Sequence, residues 1–159
     1  MYMISAEKKR DPVKRWNLPD RVFFACGACH ILAYAFMRRY AGYSAFWVKP
    51  AHGFTGNHIF VARGDAAFDY HGHVDRKTLL SHMVRKARLF WPGWDYELTP
   101  LPAEVLISER KSRAYDGLWL RGPGQFLYNA MPRAERFLDQ ISPLSPAFTK
   151  GERHALQAD

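Results

Sequence analysis

Residues 58–72 read HIFVARGDAAFDYHG, and the way this stretch folds back on itself decides the fold. Two strand-like runs, 59–62 and 66–70, flank Gly64-Asp65. A two-residue loop with glycine first is a hairpin signature, because that position of the matching turn needs a positive φ. With that loop Arg63 faces Ala66, Ala62 faces Ala67, Val61 faces Phe68 and Phe60 faces Asp69; the same count sets His58 opposite His71. Side chains alternate along a strand, so His58, Phe60, Asp69 and His71 share one face. His58 and Asp69 become diagonal neighbours, about 7–8 Å apart at the backbone, a gap that an imidazole and a carboxylate close. A carboxylate placed there fixes the tautomer of the histidine and stabilises its protonated form. A slip of one residue in the loop would undo the arrangement.

Residues 23–36, FFACGACHILAYAF, supply the complement and contain both cysteines of the chain. The spacing predicts a helix over 27–40: Cys29, Leu32, Ala33 and Phe36 recur at helical intervals, Arg38 and Arg39 sit near its end, and Gly42 stops it. Cys29 then lies in the first turn, where free N–H groups and the helix dipole favour thiolate and offer part of an oxyanion hole. Cys29, His58 and Asp69 form a candidate nucleophile, base and orienting acid that needs no cofactor. Cys26, about a turn earlier, is the alternative nucleophile if the helix starts sooner. His71 is an alternative orienting group.

The remaining elements complete an α+β pattern, helices grouped around a small antiparallel sheet. Residues 1–20 form a basic lead-in ending in the turn residues of NLPD. RVFFA reads as a short strand or an extended entry to the helix, YSAFWVK as a strand ended by Pro50, and PAHGFTGN as a loop. DRKTLLSHMVRKARLF reads as a helix headed by Asp75, with Leu79, Leu80, Met83 and Leu89 turned to the core. DYELTPL is a further strand. A helix over 103–112 follows Pro102, and GQFLYNAMPRAERFLDQI is helical with a break at Pro132. The division expected is a lead-in (1–20), one α+β domain (21–141) and a proline-containing tail (142–159).

Composition bounds the function. An 18.4 kDa chain that is 48% apolar can build a core without disulfide staples, and two cysteines make no disulfide framework. No apolar h-region follows the charged start and no run approaches a membrane span, so a cytoplasmic protein is expected. A net charge of +8 and a pI near 9.7 fit an acidic partner, nucleic acid included. The basic residues are nevertheless spread along the chain, and no nucleic-acid-binding signature accompanies them.

CGACH also matches three other chemistries. It is literally a haem-attachment pattern, with Met37 and Met83 as axial candidates, although covalent haem generally accompanies export. CGAC ahead of a helix is also a thiol–disulfide redox site with Cys26 attacking, although that fold expects a parallel crossover after the helix. His58, Asp69, His71 and His73 could converge on zinc if residues 66–73 ran as one strand. A different class again is a non-catalytic binding module, in which the basic surface or Trp47, Trp91 and Trp94 recognise a partner.

In its order of parts the chain resembles the papain-like and transglutaminase-like cysteine hydrolases, including their cell-wall-peptidase branch. GACHILAYAF resembles the nucleophile helix, NHIFVARG the histidine strand and AAFDYHG the strand of the third member. The resemblance spans about residues 22–72. It implies a papain-like fold with a nucleophile helix packed on the sheet and further helices C-terminal. It also implies hydrolysis or acyl transfer at an amide or thioester bond of a peptide- or amide-like substrate. No glutamine stands at a papain-like position before the cysteine and no Asp-Cys-Ser occurs, so the resemblance assigns neither the oxyanion-hole donor nor the substrate.

Overall fold

The computed structural model describes residues 2–141; the proline-containing tail lies outside them. Two short helices open the chain. In α1 (Ala6–Arg10) the Ser5 hydroxyl accepts from Lys8 N–H, and in α2 (Pro12–Trp16) the Asp11 carboxylate accepts from Val13 and Lys14 N–H. The RVFFA stretch, predicted as a strand, is instead helix α3 (Asp20–Ala25). Phe23 and Phe24, at 1% and 0% exposure, are both in the core. A strand would aim these neighbours at opposite faces, whereas a helix sets them on one side. Helix α4 (Cys29–Arg39) then buries Ile31, Leu32, Ala33, Ala35 and Phe36.

Strand β1 (Ser44–Pro50) leads through a loop to β2 (His58–Arg63), which pairs with β3 (Ala66–Asp69) in the register that the two-residue turn predicts. Gly64 occupies the first turn position with φ 55°, the conformation that glycine supplies without steric cost. The chain turns again at Tyr70-His71, so Asp69 pairs with Gly72 on a separate strand, β4 (Gly72–Asp75). Residues 66–73 are therefore not one strand, and His71 lies in a turn rather than opposite His58. Helix α5 (Arg76–Phe90) is capped by Asp75. Leu79 and Met83 are buried as expected, but Leu89 is 71% exposed. Strand β5 (Tyr96–Leu101) pairs with β1 and closes the sheet order β4-β3-β2-β1-β5, with every pairing antiparallel.

The continuous helix expected at 103–112 is divided into a 3-10 turn (Ala103–Val105) and α6 (Glu109–Ser112). The division falls where the Ser108 side chain starts a new cap. Pro132 does not break a helix; it stands in the first turn of α7 (Met131–Asp139), where its missing N–H costs nothing, and residues 126–130 are irregular. Helices α3, α4 and α7 bury one face of the sheet through Phe36, Trp47, Val61, Phe68 and Phe137. Helix α5 buries the other through Val48, Phe60, Ala62, Leu79 and Met83. Residues 58–62 of β2 are accordingly buried on both faces, which explains their nearly unbroken apolar run. Among the described residues no helix is long and apolar enough to cross a membrane.

Candidate active site

His58 is the first residue of β2 and Asp69 the last of β3, so the hairpin brings both to one end of the sheet. Both are buried, and His58 Nε2 donates to Asp69 Oδ2 at 3.0 Å. The other oxygen, Oδ1, accepts from the His71 backbone N–H at 2.8 Å and from His71 Nδ1 at 3.0 Å. Asp69 thus has fixed donors on both oxygens. Burial pushes its carboxyl up, yet the hydrogen bonds from His58 and His71 override this and hold it well below the usual carboxylate range.

Helix α4 begins beside this pair, and the Cys29 thiol interacts electrostatically with His58. Since Nε2 serves Asp69, Nδ1 is the ring nitrogen left for the sulfur. Burial opposes ionising either group. Interactions with His30 and His58 outweigh it at the thiol and bring Cys29 from 9.0 to about 5. At the imidazole, the hydrogen bond to Asp69 and the interaction with Cys29 outweigh it and raise His58 from 6.5 to about 9. Between those values the pair exists as thiolate and imidazolium. Tyr70 stands edge-on to His58 at 5.4 Å between ring centroids.

Cys29 is partly exposed; its neighbour His58, with Cys26, Gly27, Asn57 and Tyr70, lines a cleft of about 580 Å³, of which Cys29 itself is not a lining residue. That volume suits a small molecule or a short peptide segment. A larger hollow of about 780 Å³ lies along α5, lined by Arg76, Lys77, Arg85 and Arg88, and holds no cysteine.

Sequence reasoning missed Asn57. Trp47 Nε1–H, which can only donate, bonds Asn57 Oδ1 at 2.7 Å. This fixes the amide orientation and leaves its NH₂ group free on the cleft wall. Asn57 carries no period or motif of its own; only its place before the histidine strand could have marked it.

The other candidates fall outside the trio. Cys26 caps α3 and points to Tyr2 O at 3.6 Å, and burial is the first cause raising its thiol pKa. His71 is the second partner of Asp69 rather than a partner of the thiol. His73 packs between Phe36, Tyr40 and Phe68 on the α4 side of the sheet, so the zinc grouping of His58, Asp69, His71 and His73 does not converge. Among the described residues no three His, Cys, Asp or Glu side chains could hold a metal ion. His30, the histidine of the haem-like pattern, is buried with Nε2 donating to Arg121 O at 2.8 Å. Trp47 and Trp94, read as recognition aromatics, are instead core residues at 2% and 0% exposure. The fold is an α+β one in which a hydrogen-bonded imidazole and carboxylate, His58 and Asp69, stand at a sheet end close to the Cys29 thiol. Comparison with family models, characterised proteins and solved structures returns no match.

Proposed function

We propose that this protein is a cysteine hydrolase or acyl transferase, acting on an amide or thioester bond in the papain-like manner. The observation that carries the reading is the Cys29 thiol interacting with His58, which is itself hydrogen-bonded to Asp69 and lines a cleft. The thiolate attacks the substrate carbonyl and a carbon–sulfur bond forms. As the intermediate collapses, the carbon–nitrogen or carbon–sulfur bond of the substrate breaks, and His58 gives its proton to the leaving group. Water or another acceptor, deprotonated by His58, then attacks the acyl-enzyme and restores the thiolate–imidazolium pair. Asp69 keeps the ring oriented and its charge balanced.

Two donors are assigned by this reading to the oxygen of the intermediate: the Cys29 backbone N–H, which has no intrahelical acceptor because it begins α4, and the Asn57 amide on the cleft wall. A thiol–disulfide role with Cys26 attacking finds less support, since Cys26 is the thiol with the raised pKa and no parallel crossover follows the helix.

The test is acylation by p-nitrophenyl acetate followed by intact mass and peptide mapping. An acetyl adduct is expected on Cys29, absent in Cys29→Ala and slower to form by at least about a thousandfold in His58→Ala. Asn57→Ala should slow acylation about 100-fold without changing thiol ionisation. An adduct that maps elsewhere, or that forms equally in Cys29→Ala, rejects the proposal.

A further inference from the structure

Cationic side chains from distant parts of the chain line the cleft beside His58, and among the described residues no acidic one lines it. Lys9 and Arg10 reach it from α1, Arg15 from α2 and Arg121 from the segment between α6 and α7. None of these takes part in an ion pair with a described residue.

Arg15 is the telling member. It is only 9% exposed, and its Nε is buried with no hydrogen-bond partner. Its guanidinium lies over the Phe126 ring at 5.1 Å, and Nη2 donates to Gly27 O at 2.9 Å. The glycine between the two cysteines makes that seat. A Cβ on Gly27 would stand 2.7 Å from Arg15 Nη2, and φ of 106° disfavours any other residue. Burial, and then the charge of Arg121, lower the Arg15 pKa, against a smaller raising effect of Cys26 and Cys29; among the described residues no carboxylate lines the hollow that the two arginines share. Keeping the buried Arg15 guanidinium charged there is costly unless an anion meets it. Paired guanidinium forks match the geometry of carboxylate and phosphate oxygens.

We propose that the cleft selects acyl substrates bearing a carboxylate or phosphate group, which Arg15 and Arg121 grip while Cys29 meets the neighbouring carbonyl. The choice of reacting atom rests on the acyl-transfer reading above; the anion site rests on the arginines alone.

The experiment measures alkylation of Cys29 by iodoacetate and by iodoacetamide at about pH 6, in the full chain carrying Cys26→Ser, with 2-mercaptoethanol as the reference thiol. The iodoacetate-to-iodoacetamide rate ratio should exceed the reference at least about tenfold and saturate with iodoacetate. It should collapse in about 0.5 M sodium chloride, where charges are screened within a few ångströms. Arg121→Gln, at an exposed position that folding tolerates, should bring the ratio down to the reference value. Arg15→Lys, which keeps the charge and loses the fork, should lower it in part. Protection against iodoacetamide by inorganic phosphate or by acetate, whichever acts at lower concentration, identifies the oxyanion. A fast Cys29 with the reference ratio, or a ratio unmoved by Arg121→Gln, overturns the anion site and leaves the thiolate reading intact. A Cys29 slow toward both reagents overturns the acyl-transfer reading and this inference with it.

Discussion

At the scale of single residues, the reactive unit is defined by where two protons sit. With the thiol at about 5 and the imidazole at about 9, one proton has moved from sulfur to His58 across the neutral range. The sign follows from each group. Cys29 has a lowered pKa, so its anionic form is complete at neutral pH and is lost as pH falls through about 5. His58 has a raised pKa, so its cationic form is complete at neutral pH and is lost as pH rises through about 9. Acylation with release of an amine, which needs both forms, should therefore follow a bell with limbs near those values, both belonging to the coupled pair. Alkylation by iodoacetamide needs only the thiolate. Cys29 should react at about pH 6 almost as fast as at pH 8, whereas a free thiol slows on the order of 100-fold over that interval. His58→Ala removes two of the causes that lower the thiol, so its alkylation limb should move toward the free-thiol range. Peptide-resolved rates would separate Cys29 from Cys26; an unmoved limb in His58→Ala would show that the imidazole does not stabilise the thiolate.

At the scale of elements, the question is what holds the start of α4 against the end of the hairpin. Register does part of the work: Asp69 and His58 reach one sheet end because Gly64-Asp65 allows a turn of two residues and no more. Ahead of α4, the helices that lead into it are fixed by Arg133 of α7. Its Nε donates to Asp20 Oδ1 at 2.7 Å, its remaining nitrogens bond the carbonyls of Trp16 and Leu18, and its guanidinium lies over Phe23 at 4.1 Å. One side chain thus ties α2, α3 and α7 together. Arg133→Met should cost about 2–3 kcal/mol, mostly from acceptors left without a donor. The denaturant midpoint should fall with the slope unchanged, because the surface exposed on unfolding stays the same; no shift in the midpoint would reduce Arg133 to a surface ornament. These elements were unevenly legible. The hairpin, α4, β1 and α5 carry their own periodicity and turn residues, so local rules suffice. Helices α1 and α2 are too short to show a period. The aromatic pair Phe23-Phe24 favours strand by propensity, and packing against α4 and α7 overrides that preference. Pro132 reads as a breaker or as a first-turn residue depending on where the helix starts, and only the irregular run before it decides.

At the scale of the whole molecule, the site was legible only along the chain, not across it. Cys29, His58 and Asp69 follow from local patterns, since two share a hairpin and the third heads a helix. Arg15, Asn57 and Arg121 have no such signal, because charges that look scattered in the sequence become neighbours only when α2 and residues 118–121 close over the sheet end. That closure depends on a segment poor in regular structure. Leu118 and Leu120 are buried, and the Ser112 hydroxyl, itself fully buried, donates to Glu109 O at 2.8 Å and accepts from Leu120 N–H at 2.9 Å. A second tie is His30 Nε2 to Arg121 O. The sheet needs neither tie, since β1, β2 and β3 are held by their own ladder and by α4 and α5. The segment should therefore open as a unit of lower stability than the sheet. Ser112→Ala leaves the buried Leu120 N–H without an acceptor, worth about 1–3 kcal/mol. Hydrogen exchange should then quicken over residues 113–125 by about tenfold or more, while β2 and α4 lose protection only to the extent that global stability falls. Because Arg121 rides on this segment, its opening also removes one arm of the cationic cleft without touching the thiol. A uniform loss of protection across sheet and segment would mean that the two unfold together, and that the cleft wall has no motion of its own.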